Sequence, residues 1–101
     1  MTLDQKRVDR VAEIMRVIAH PIRMQIMLFL LKQGPSIVTS IQAELQIEQS
    51  LLSHHLIKMK DRGVLYSDRK GKTMVYGLVD PSLVDGITLF LKSETETSIQ
   101  V

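Results

Sequence analysis

The chain has 101 residues, 45% of them hydrophobic but only 4% aromatic, and a formal net charge of +2. That length suits one domain, with a core built from Leu, Ile, Val and Met. With no cysteine, disulfides, thiolate metal sites, iron–sulfur clusters and thiol redox sensing are excluded.

The longest apolar run, Ile26 to Leu31, falls far short of the roughly 20 residues that span a bilayer. Asp4 to Arg10 is charged where a signal peptide would be apolar. A cytoplasmic protein without membrane association is expected.

Residues 3–19 read as a first helix. Leu3, Val8, Val11, Ala12, Met15 and Ile18 make its apolar stripe, among Lys6, Arg7, Arg10, Glu13 and Arg16. A terminal helix of this length is most economically explained by a partner subunit; a local core contact is the alternative. His20-Pro21 breaks the chain, and proline suits the first turn of the next helix, where its missing N–H costs nothing. That helix, 21–33, is apolar nearly all round and so reads as the central buried element, stopped by Gly34-Pro35. A short helix over about 37–45 points Val38, Ile41 and Leu45 inward, with Ser36 or Thr39 as its cap and Thr39 with Gln42 fitting a capping box.

Gln46-Ile47-Glu48 then leads tightly into the stretch that organises the chain, 47–63. Leu52, Leu56 and Met59 recur at i, i+4 and i+7 on one stripe. Gln49, Ser50, Ser53 and His54 fall on the opposite side, with Ile57 and Lys58 further along. This polar set carries hydrogen-bonding groups but little charge, which suits reading base edges in a major groove. A merely solvated face is the plain alternative. Gly63 ends the helix, with Lys60 and Arg62 in its last turn. Two helices joined by three or four residues, the second with a polar reading face, form the helix-turn-helix pattern.

Residues 64–67 and 72–78 are β-type runs, with Asp68-Arg69-Lys70-Gly71 between them as a turn. Arg69, Lys70 and Lys72 thus stand at the tip of a hairpin, a wing placed to rest on phosphates or enter the minor groove, with a solvated hairpin loop as the plain alternative. A last helix, about 81–92, carries Leu83, Val84, Ile87, Phe90 and Leu91. Residues 1–94 are expected to form the domain, and 95–101 a frayed tail. The charge is uneven: residues 48–76 hold six Lys/Arg against three acids, whereas 77–101 hold one against four. A nucleic-acid-binding face produces such an asymmetry. The fold expected is a mainly α winged helix-turn-helix, α-α-α-α-β-β-α, with a small β-hairpin.

Three strings in register resemble the ArsR-type winged-helix regulators of bacteria over about residues 12–92. They are His20-Pro21-Ile22-Arg23, then Gln49-Ser50-Leu51-Leu52-Ser53-His54-His55-Leu56, then Gly63-Val64-Leu65 with Arg69, Gly71-Lys72, Tyr76 and Leu78. The resemblance implies a homodimeric repressor on double-stranded DNA with an inverted-repeat operator. Gln49, Ser50, Ser53, His54 and Lys58 on the recognition helix and Arg69, Lys70 and Lys72 on the wing would contact DNA. Leu3, Val8, Val11, Met15, Leu83, Ile87, Phe90 and Leu91 would supply the dimer interface.

The family's metal-sensing signatures do not carry over. Where soft-metal sensors hold Cys-x-Cys, this chain has Ile37 and Thr39, and its last helix has Asp85 and Glu94 but no His. His54 and His55 point about 100° apart on a helix and cannot chelate one ion together. Asp80, Asp85 and Glu94 do not share one face. The six methionines read as core filling. No nucleophile–base pair, phosphate loop or carboxylate motif supports catalysis. No cofactor and no metal are expected, and the inducer, a small molecule or a protein, is left open. The alternative function is a winged-helix protein-interaction module; the cationic hairpin tip favours DNA.

Overall fold

The computed structural model describes the backbone of residues 4–100 and the side chains of 4–94. Five helices and a small antiparallel sheet make up the described fold. The helices are α1 (Gln5–Ile18), α2 (Pro21–Gln33), α3 (Val38–Leu45), α4 (Gln49–Asp61) and α5 (Ser82–Gln100). The strands are β1 (Ser36–Ile37), β2 (Leu65–Lys70) and β3 (Thr73–Leu78), in the order β1-β3-β2. This is the winged helix-turn-helix expected from the sequence, with one strand added.

Each helix start has a local cause. Asp4 accepts from the N–H of Lys6 at α1. His20 caps α2 through Nδ1, which accepts from the N–H of Ile22, and Pro21 takes the first helical position. The capping box expected at α3 does not form. Its N-cap is Ile37, with no side-chain cap, because Ser36 and Ile37 are extended and pair with Tyr76 and Val75 of β3. The strand pairing fixes the chain just before α3, so Ser36 and Thr39 are not its caps. At the other end Gln46 turns the chain with a left-handed φ of 53°, and α4 starts three residues later.

The hairpin turn is tighter than expected. Lys70 pairs with Thr73, leaving only Gly71-Lys72 between the strands, so Asp68, Arg69 and Lys70 belong to β2 rather than to the turn. Gly71 supplies the φ of 64° that the first position of such a reversal requires. The backbone of α5 continues past the expected end at 92 to Gln100; the side chains of the tail expected to fray, 95–101, lie outside the described residues.

The core is aliphatic. Ile26 and Met27 of α2, Ile41 of α3, Leu52, Leu56 and Met59 of α4 and Val84 of α5 are all at 0% exposure. Burying each such side chain contributes roughly 1.5–3 kcal/mol before entropy is counted. The three residues placed by spacing on the inner stripe of α4 are therefore its inner stripe. On the outer face of the sheet the Tyr66 ring lies across Gly77, its cross-strand partner, where a β-carbon would collide with it.

Candidate nucleic-acid interface

α4 begins at Glu48, whose carboxylate accepts from the N–H groups of Ser50 at 2.9 Å and Leu51 at 3.0 Å. These bonds, the Ser50 backbone first, hold the Glu48 pKa below its ordinary value. The cap thus fixes the first turn at the point where the polar face starts. Gln49, Ser50, His54 and Lys58 are exposed, and Ser53 is half-buried. None of these five is drawn into an internal side-chain hydrogen bond or ion pair that would block a partner, apart from the capping contacts to Ser50. Ile57, on the same side, is 51% exposed, which gives the face one apolar group suited to a thymine methyl. His55 departs from this side: it is buried and its Nδ1 accepts from Arg23 Nε at 3.1 Å.

The cations of the hairpin are exposed but not equivalent. Strand alternation puts Arg69 on the sheet face of Leu65 and Ser67, and Lys70 on the face of Tyr66 and Asp68. Lys70 Nζ pairs with Asp68 Oδ2 at 3.2 Å, so part of its charge is already answered. Lys72 occupies the turn itself. The expected cluster of three tip cations is therefore one cation at the tip and one on each face of the ribbon behind it.

A second exposed surface is apolar. Val8, Val11 and Met15 of α1 are 42%, 52% and 49% exposed, and Leu89, Phe90 and Leu91 of α5 are 67%, 80% and 47% exposed. Leu83 and Ile87 are half-buried against the core. Leu3 lies outside the described residues. Leu89 lies outside the apolar spacing expected of this helix from the sequence and adds to its exposed apolar surface. Val11, Ile14 and Met15 also line an open cavity of about 210 Å³ with Gly63, Val64 and Leu83. Asp80 at its rim accepts from the hydroxyl and N–H of Ser82, which lowers the Asp80 pKa and commits that carboxylate to starting α5. Among the described residues no three His, Asp or Glu side chains converge on a point that could hold a metal ion.

A tri-helical unit with a half-exposed second helix of a helix-turn-helix and a cationic two-stranded wing defines a winged-helix DNA-binding domain. Residues 20–67 match the model described as bacterial regulatory protein, arsR family. The chain is 38% identical over 80 residues to the transcriptional repressor PagR of Bacillus anthracis, covering 79% of each sequence. It is 36% identical over 78 residues to the HTH-type transcriptional regulator NmtR of Mycobacterium tuberculosis, covering 77% of this chain and 64% of NmtR. The crystal structure of PagR superposes with a TM-score of 0.77 at 34% identity, over 87% of this chain and 99% of that one. The homodimeric winged helix-turn-helix domain of Mb0332 from Mycobacterium bovis, at 22% identity, shares the fold with a TM-score of 0.79, over 99% of this chain and 94% of that domain. The chain belongs to the arsR family: it is a DNA-binding transcriptional regulator, not an enzyme.

Proposed function

We propose that the protein is a homodimeric repressor that binds an inverted-repeat operator, with one α4 in each of two major-groove half-sites. The observation that carries this reading is the division of α4: one side is sealed into the core, while Gln49, Ser50, His54 and Lys58 are left exposed on the other. Gln49, Ser50, Ser53 and His54 contact base edges, Lys58 a phosphate, and Arg69, Lys70 and Lys72 the flanking backbone. Repression is carried over from the function named for PagR. Homodimerisation is supported by the exposed apolar residues of α1 and α5, and by the homodimer described for Mb0332. Two copies joined through these helices read half-sites about one helical turn, ~10 bp, or a multiple apart. Such a regulator works where its operator DNA is, in the cytoplasm.

An inducer lowers operator affinity through a coupling free energy between its site and α4. The cavity between α1, Val64 and Leu83 borders both the proposed dimer surface and the chain leaving α4, which makes it the place where a small apolar inducer would act.

Selection from a random duplex pool at near-physiological salt tests the reading. An enriched inverted repeat whose affinity falls steeply with salt is expected. Weak, salt-sensitive binding with no enriched sequence would overturn it in favour of a protein-interaction module.

A further inference from the structure

At the corner where α1 ends and α2 begins, one guanidinium joins three elements. Val17 lies in the last turn of α1, and its carbonyl would ordinarily accept from the N–H four residues on. That residue is Pro21, which has none. Arg23 Nη1 donates to this carbonyl instead, at 3.0 Å. The Nε of the same side chain donates to Nδ1 of His55, in the middle of α4, at 3.1 Å. The His20 ring closes the other side. Its centroid is 4.6 Å from that of His55, while its own Nδ1 caps α2 by accepting from Ile22. The His54 ring stands edge-on to His55 at 5.7 Å.

Both hydrogen bonds require an unprotonated Nδ1, because an imidazolium nitrogen can only donate. His55 is 5% exposed. Burial, and then the charges of His20, Arg23 and His54, push its pKa below the ordinary 6.5. Those three groups come from the start of α2 and from α4 itself. Of the other elements packed on α4, α1 brings Glu13, already held by Arg16 and Arg62. α3 brings Glu44 and β2 brings Asp68, Arg69 and Lys70, all exposed. Among the described residues no carboxylate is bonded to His55 to stabilise its proton.

We propose that His20, Arg23 and His55 form an acid-sensitive seat for the recognition helix: Arg23 ties α4 to the α1–α2 corner while His55 is neutral, and proton uptake by His55 releases α4 and weakens operator binding. His55 and Arg23 are positioning residues, since neither lies on the exposed face. The proposal rests on α4 being the recognition helix. Because folding favours the neutral ring, the seat contributes its full stability above about pH 6.5 and loses it as the pH falls through the lowered native value. Arg23 then faces a cation across the bond it formerly made.

The test compares the wild-type protein with His55→Asn, whose Oδ1 stands where Nδ1 stood and accepts from Arg23 without titrating. Both keep His54, so any direct effect of that ring on DNA is common to the two. Two readouts are taken at pH 7.5 and 5.5 at fixed ionic strength: amide-exchange protection factors of α4 in the free protein, and affinity for the duplex enriched from the random pool. In the wild type, protection and affinity should each fall about tenfold more than in His55→Asn, the scale expected for losing one hydrogen bond made by a charged donor. An equal response of α4 protection in the two proteins would overturn the proposal. Should no duplex be enriched, the reading of α4 fails, while the protection factors still decide the seat. His20→Asn provides a second check that does not depend on His55→Asn folding. It keeps an acceptor for Ile22 but removes the ring packed on His55 and with it part of the burial, so the His55 titration followed by NMR should move upward. An unmoved His55 titration would also overturn the proposal.

Discussion

Two regions of this molecule are built from the same kinds of residue and end in opposite states. Between α2, α3 and α4, aliphatic side chains such as Ile26, Leu52 and Met59 are at 0% exposure. Along α1 and α5, Val11, Met15 and Phe90 are 52%, 49% and 80% exposed. The first set is closed by helices of its own chain meeting on three sides. The second lies on α1 and α5, where the rest of the described residues leave it uncovered. The lesson is that hydrophobic periodicity marks a face to be buried, but not the chain that buries it. Exposed apolar surface of the second kind is where the proposed association would take place, and the polar side of α4 belongs to neither kind.

The comparison breaks most visibly in the core. Leu56→Ala should cost about 2–5 kcal/mol, since the surrounding helices cannot collapse fully into the space. Urea unfolding should show a lowered midpoint at every protein concentration. Phe90→Asp should behave in the opposite way. With a side chain this exposed in the monomer, its effect on the folded single chain should stay within about 0.5 kcal/mol. Its self-association, read by sedimentation equilibrium, should weaken at least about tenfold, as expected for an aromatic anchor of an interface. If Phe90→Asp associates like the wild type, the apolar flank is not the dimer surface.

Gly77→Ala sharpens the contrast from the sheet. The added methyl meets the Tyr66 ring, which must leave the face of β3. A loss of about 1–3 kcal/mol is expected, and Tyr66→Ala made together with it should recover part of that loss by removing the obstruction. A double-mutant cycle in urea measures the recovery.

Much of this was legible in the sequence, and the failures are local. The buried stripe of α4 was readable because Leu52, Leu56 and Met59 keep helical spacing without interruption. The helix-turn-helix followed from the short connection through Gln46. The two-residue strand β1 was not readable: Ser36-Ile37 has no alternation to detect, and its pairing partners lie some forty residues on, at Val75 and Tyr76. Missing that strand produced the false capping box at Thr39. Charged residues usually mark turns, so the sequence points to a turn over Asp68-Arg69-Lys70-Gly71, whereas the positive φ of Gly71 starts the reversal there and narrows it to Gly71-Lys72. The bond between Arg23 and His55 spans 32 positions, and His55 could be separated from His54 only by its place near the apolar stripe.

The central claim is that the exposed side of α4 reads bases while the wing holds the backbone. It is tested most directly by measuring Gln49→Ala and Lys72→Ala against the wild type, on the selected repeat and on a scrambled duplex, through a salt titration. Gln49→Ala should lose about 1–3 kcal/mol on the repeat and little on the scrambled duplex, with its salt slope unchanged. Lys72→Ala should weaken both duplexes alike and reduce the slope by about one unit. Wild-type affinity and sequence preference in Gln49→Ala would contradict the assignment of this face.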